Sequence, residues 1–190
     1  ITFGSFNNFL KISDEVVEVW GKILKKVDNS KLILKSSLNV NKDTILKKFK
    51  DYGVNNSIKF YEKQEVEDHL KSYKEIDIAL DTFPYNGVVT TFEALWSGVP
   101  VIGMKGYNMN SRCGESILKN AELKNLISIN KEDYVNKALY FSKNLRELEE
   151  LRLKIFKGIL NTSLFDSENF SINFQNKLLD IYKKANHKNI

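Results

Sequence analysis

The sequence predicts an α/β protein: a Rossmann-like, doubly wound parallel sheet of about six strands with helices on both faces. Two observations point there. Short apolar runs alternate with amphipathic helical patterns along nearly the whole of the 190-residue chain, the mark of successive β–α units. Cap and breaker residues punctuate most junctions, so each element can be placed in turn. The length suits one good-sized domain and is short for two.

"ITFGSF" reads as the first strand. "SDEVVEVWGKILKKV" follows as a helix, with Val16, Val19, Trp20, Ile23, Leu24 and Val27 at helical spacing, Ser13 as N-cap and acids in the first turn. "KLILK" is a second strand, and "KDTILKKFKDYG" a helix closed by Gly53. "SIKFY" is a third strand, "EVEDHLKSYKE" a short helix and "IDIALD" a fourth strand. "TTFEALWSG" is a helix leading into the strand "VPVIGM". "SRCGESILKNAE" is helical and "NLIS" a short sixth strand. "KEDYVNKALYFSKNLRELEELRLKIFKG" is helical with a break expected near Ser142 to Asn144, and "DSENFSINFQNKLLDIYKKANHK" is the last helix. Trp20 and Trp96 are expected in the core, and His187 in a disordered polar tail.

Composition narrows the function. The chain is 42% hydrophobic and 28% charged with net charge +5, ordinary for a soluble domain. No apolar run approaches the ~20 residues of a membrane helix, and no signal peptide is recognisable, so no membrane role is expected. The lysines recur beside Glu and Asp on helix faces instead of forming a stripe, which disfavours nucleic acid. A mild positive surplus suits a small anionic ligand. Cys113 is the only cysteine, which excludes a disulfide framework and a cysteine metal site; a cytoplasmic location is the simplest expectation. The chain starts on an apolar segment without methionine and is expected to be a piece of a longer one.

The usual doubly wound strand order, 3-2-1-4-5-6, makes strands one and four neighbours at the topological switch point, where ligands bind. The loops "SFNNFLK" (5–11) and "DTFPYNGVVTT" (81–91) should therefore meet. Both prolines of the chain and two of its nine glycines fall between residues 80 and 100. GxGxxG and GxxxxGK[ST] are both absent, against a nicotinamide or flavin dinucleotide and against a P-loop. Asn86 and Gly87 allow a tight turn. The helix that follows offers free N–H groups and a partial positive charge, to which Thr90 and Thr91 add hydroxyls, so a diphosphate suits the site. Lys11 across the crevice would supply a full charge, and Glu93 would accept from ribose hydroxyls. Plainer readings stand beside these. Thr90 and Glu93 also match a capping box, Lys11 an ordinary surface lysine, Asn86-Gly87 a mere turn, and His69 a solvent-facing histidine. No Ser/His/Asp set, HExxH, DxD or other metal motif appears.

"FGSFNNFLKISDEVVEVWGKIL", "DIALDTFPYNGVVTTFEALWSGVPVI" and "SRCGESIL" together resemble the C-terminal catalytic half of the O-GlcNAc transferase family, glycosyltransferase family 41, from Phe3 to about Tyr182. The resemblance implies the C-terminal lobe of a GT-B enzyme. Residues 1–160 would form a Rossmann-like UDP-sugar-binding lobe, and 161–190 a C-terminal helix packing back on it or toward the missing N-terminal lobe. It implies a UDP-sugar donor, UDP-GlcNAc above all, a protein Ser or Thr acceptor, upstream tetratricopeptide repeats, and no metal or other cofactor. Asn8 and Lys11 fall at the diphosphate, with Lys11 the catalytic group that neutralises it. Gln64 to Val66 fall where backbone meets uracil, and His69 near the nucleotide. Val88, Val89 and Thr90 fall on the phosphates and Glu93 on the ribose. Val88 and Val89 replace polar residues of the family pattern, and Ser72 an arginine of some members. Transfer of glucose or another hexose, including to Asn, or a binding module without catalysis, are the alternatives.

Overall fold

The structure, a computed structural model, describes residues 1–35, 42–62 and 64–186. The expectation for His187 lies outside them. Six parallel strands form one sheet in the order β3-β2-β1-β4-β5-β6: β1 (Thr2–Ser5), β2 (Lys31–Lys35), β3 (Ile58–Tyr61), β4 (Ile78–Leu80), β5 (Val101–Met104) and β6 (Ile127–Ser128). This is the predicted doubly wound order. Phe3 of β1 lies in register with Leu32 of β2 on one side and Ile78 of β4 on the other, so the chain reverses direction of winding at β1.

The helices are α1 (Asp14–Lys26), α2 (Lys42–Lys50), α3 (Val66–Ser72), α4 (Val89–Trp96), α5 (Met109–Asn120), α6 (Lys131–Lys143), α7 (Leu145–Gly158) and α8 (Ser167–Asn186). Ser13 caps α1 as expected, its Oγ accepting from the Val16 N–H. The break expected between Ser142 and Asn144 falls at Asn144, between α6 and α7. Gly53 takes φ +69° after α2 and Gly98 φ +74° after α4, the left-handed conformation in which glycine carries no Cβ penalty.

Phe3, Trp20, Ile23, Leu32, Leu34, Ile78, Leu80 and Leu95 are buried between sheet and helices. Trp96 departs from the expectation: it is 52% exposed, with its ring against Phe165 at 5.6 Å between centroids. The buried residues of α4 are Thr91, Ala94 and Leu95, and a residue one position past Leu95 has turned about 100° off that face. The helix α8 has no buried residue.

Candidate functional site

The β1–α1 loop and the β4–α4 loop meet at the carboxyl ends of β1 and β4. They meet because β1 pairs with β4. Together with α5 they enclose an open cleft of about 320 Å³, lined by Asn7, Asn8, Lys11, Tyr85, Asn86, Val88, Val89, Thr90 and Cys113 among others. Asn8 caps a single helical turn, its Oδ1 accepting from Leu10 N–H at 3.0 Å. That turn delivers Lys11, whose Nζ donates to the Asn86 carbonyl at 2.9 Å and lies 4.3 Å from the centre of the Tyr85 ring. Burial lowers the Lys11 pKa, and the negative charge of Asp81 works against that shift.

The β4–α4 loop is tied from below. Asp81 closes β4 with a fully buried carboxyl group whose Oδ1 accepts from Gly87 N–H at 2.7 Å, Thr82 N–H at 2.9 Å and Asn7 Nδ2 at 3.2 Å. Asn7 in turn accepts from Thr90 Oγ1 at 3.1 Å. The Asn86 side chain is also spent internally, donating to Thr82 O and accepting from Gly114 N–H. A Cβ on Gly87 would stand 2.6 Å from Thr90 Oγ1 and 2.9 Å from both Asn7 Oδ1 and Asp81 Oδ1. Only glycine fits this position without displacing the loop.

The helix α4 starts at Val89 with Val88 as N-cap and no side-chain cap. The capping-box alternative for Thr90 and Glu93 is therefore not realised. The Thr90 hydroxyl goes to Asn7, and Glu93 is drawn to α3: its Oε2 lies 3.0 Å from His69 Nε2 and 3.1 Å from the Tyr73 hydroxyl. Burial raises the Tyr73 pKa, with the Glu93 charge adding to it, so the phenol stays protonated and donates. His69 packs on Phe6 and Tyr73, so it is not a free surface histidine. The uncapped first turn of α4 leaves backbone donors and a partial positive charge at the cleft. Thr91 is buried and lines the interior with Ser5 and Ile76 instead of the cleft.

Gln64 is exposed beside the cleft, its Oε1 accepting from Lys35 Nζ at 2.5 Å and Ser72 Oγ at 2.7 Å. Val66, 74% exposed, opens α3. Four residues of the site went unread in the sequence: Asn7, Lys35, Tyr73 and Asp81. Asp81 left a signal, a carboxylate at the end of an apolar strand beside a breaker-rich loop. Among the described residues, no group of three or more His, Cys, Asp or Glu is placed to hold a metal ion, and no helix is long and apolar enough to cross a membrane.

A six-stranded doubly wound parallel sheet with a cationic, helix-headed cleft at its switch point has the architecture of a lobe of the GT-B glycosyltransferase class. The pattern of glycosyl transferase family 41 matches residues 1–174, and the chain belongs to that family. It is 33% identical over 196 aligned residues to the tomato (Solanum lycopersicum) "probable UDP-N-acetylglucosamine–peptide N-acetylglucosaminyltransferase SPINDLY", covering 97% of this chain and 20% of that protein. It is 27% identical to the UDP-N-acetylglucosamine–peptide N-acetylglucosaminyltransferase of Caenorhabditis elegans, covering 97% of this chain and 16% of that protein. Among solved structures, the K341M mutant of Thermobaculum terrenum O-GlcNAc transferase superposes with TM-score 0.84 at 33% identity, over 96% of this chain and 35% of that one. TarM, at 20% identity and TM-score 0.70, shares the fold over 92% of this chain and 34% of its own. The chain thus spans about a fifth of the length of the tomato relative.

Proposed function

We propose that this chain is the donor-binding lobe of a protein O-glycosyltransferase, that it holds a UDP-sugar, UDP-GlcNAc above all, and that the whole enzyme transfers the sugar to Ser or Thr hydroxyls. The observation that carries the reading is the convergence of the Lys11 ammonium and the uncapped start of α4 on one cleft, with Glu93, His69 and Tyr73 clustered beside it. Sugar transfer builds negative charge on the departing nucleoside diphosphate. Donors fixed in advance stabilise that charge without reorganising as it forms. Lys11 supplies the full charge in this role, and the α4 N–H groups, that of Thr90 among them, the dipoles, while the Thr90 hydroxyl is engaged by Asn7. Val88 and Val89 contribute only backbone N–H to phosphate. Glu93, held by Tyr73 and His69, accepts from the ribose hydroxyls, and the backbone from Gln64 to Val66 meets the uracil.

The remaining parts lie outside the chain. The fifth of the tomato relative's length that it spans leaves room for the other lobe, upstream tetratricopeptide repeats and the acceptor groove. Residues 161–190 belong to that junction. On α8, Phe170, Phe174, Leu178 and Ile181 share one side and are all exposed, so we assign this face to the absent N-terminal lobe. A single cysteine suits a cytoplasmic, reducing setting. A thermal-shift series with UDP, UDP-GlcNAc, UDP-glucose and a GDP-sugar tests the reading, because a ligand that binds only the native state stabilises it in proportion to the logarithm of one plus the ratio of free ligand to Kd. UDP and UDP-GlcNAc should raise Tm while the GDP-sugar leaves it unchanged. No shift with any UDP compound would overturn the donor reading.

A further inference from the structure

Asp81 is buried to 2% exposure directly under the β4–α4 loop. Its Oδ1 takes three donors, two from the loop backbone and one from Asn7. Its Oδ2 has no hydrogen-bond partner. A Cβ on Gly114 would come within 3.0 Å of that oxygen, so α5 closes over it with backbone and brings no cation. The charged and titratable groups around the carboxyl are few. Lys11 faces it from the β1–α1 loop, and Cys113 of α5 lies near Lys11. Tyr134 of α6 donates its hydroxyl to the Asp81 carbonyl at 2.9 Å. Glu115 of α5 makes the contrast. It is 4% exposed but ion-paired to Lys105, Arg112 and Lys119, and hydrogen bonding, first from Lys119, lowers its pKa to about 2. Among the described residues Lys11 is the cation whose charge reaches Asp81, without an ion pair between them, and burial pushes the Asp81 pKa up to about 7.

We propose that Asp81 is a positioning residue that couples proton uptake to diphosphate binding. Its Oδ1 ties the two loops of the cradle together. Its charge shares Lys11 with the ligand, and its Oδ2 takes a proton from solvent when the diphosphate claims that lysine. The inference rests on the donor reading above. A bound diphosphate brings negative charge to the same ammonium, so the carboxylate loses its compensation and its protonated form is favoured. Oδ1 is already saturated with donors, so Oδ2 is the oxygen that accepts the proton. The three hydrogen bonds to Oδ1 survive protonation at Oδ2, and the cradle keeps its shape.

The test is calorimetric titration of the chain with a UDP-sugar, whose doubly esterified diphosphate lacks the ionisation near pH 6 of a terminal phosphate. At pH 7, in two buffers of different ionisation enthalpy, binding should take up a fraction of one proton per ligand. Affinity should fall above pH 7 by at most about tenfold per pH unit. His69→Asn should keep the uptake, which separates Asp81 from the histidine beside the cleft. Asp81→Asn should bind with no uptake and no pH slope in this range. Should that variant fail to fold, uridine provides the second arm: it lacks the diphosphate, leaves the Lys11 charge to Asp81, and should bind the wild-type chain with no uptake. Wild-type binding with no proton uptake overturns this inference alone, as does uptake that persists in Asp81→Asn. Absence of UDP-sugar binding at every pH overturns the donor reading and this inference with it.

Discussion

On the side of the cleft proposed for the diphosphate, Asn7, Asp81, Gly87 and Thr90 are tied to one another by buried or part-buried hydrogen bonds, two of which span more than seventy residues of sequence. On the side proposed for the base, Gln64 and Val66 lie exposed at the start of α3, and among the described residues the Gln64 side chain is tied to Lys35 and Ser72. Under the proposed function, the contrast follows from what each side would bind. A diphosphate is read by charge and by fixed donors, which are worth most where water is excluded and no reorganisation is needed. A pyrimidine edge is read by a few backbone groups on a local segment, which needs no buried network. Rigidity is concentrated where charge is handled.

Substitutions on the two sides should therefore separate in size. The largest effect is expected from Gly87→Ala. The new methyl meets three oxygens at 2.6 to 2.9 Å, and the surrounding hydrogen bonds leave the loop little freedom to move. UDP affinity should fall by about a hundredfold or more, the scale of roughly 3 kcal/mol, whereas the β-sheet core keeps its far-UV circular dichroism. A loss under threefold would mean that the cradle is pliable and the contrast between the two sides is false.

Glu93→Gln comes next and probes the boundary between the sides. Glu93 does not cap its own helix, so its loss should be felt in binding more than in folding. The amide oxygen can still accept from the Tyr73 hydroxyl, which now meets Glu93 Oε2 at 3.1 Å, and Tm should stay nearly constant. Hydrogen bonds to a charged acceptor contribute about 1.5–3 kcal/mol against ~1 for neutral ones, so UDP should weaken about tenfold. The loss should disappear with an analogue lacking both ribose hydroxyls. If it persists there, Glu93 acts through Tyr73 and the packing of α3 instead of through the sugar.

The same contrast explains what was legible in the sequence. Strand order, the Ser13 cap and the break at Asn144 follow from local periodicity and cap chemistry, and the structure bears them out. The meeting of the 5–11 and 81–91 loops follows from topology alone. The capping-box alternative failed because Thr90 and Glu93 had distant partners, Asn7 and His69, that outcompete a local hydrogen bond. Asn7 went unread for the same reason: an Asn at the seventh position gains its role only when β1 and β4 pair, whereas Asp81 also holds its near neighbours Thr82 and Gly87. Trp96 was misplaced because an apolar stretch of eight residues does not by itself say which side faces the sheet.

The smallest binding effect is expected on the base side, from Gln64→Ala. If uracil is held by backbone between Gln64 and Val66, truncating an exposed side chain should change UDP affinity by less than about threefold. The change should appear in stability instead. Lys35 is a buried lysine whose pKa is lowered by desolvation, and its Nζ donates to Gln64 Oε1 at 2.5 Å. Removing that acceptor leaves a buried ammonium to find water, at about 1 kcal/mol where water can reach it, or roughly 2–4 °C in Tm for a domain of this size. Measuring Tm and Kd on the same variant separates the two readings of this side. A fall in Tm with constant Kd keeps the base under backbone control. A tenfold loss of UDP affinity with constant Tm would make the Gln64 amide itself the reader of the base, and with Lys35 and Ser72 fixing its oxygen the base side would then be as pre-organised as the diphosphate side.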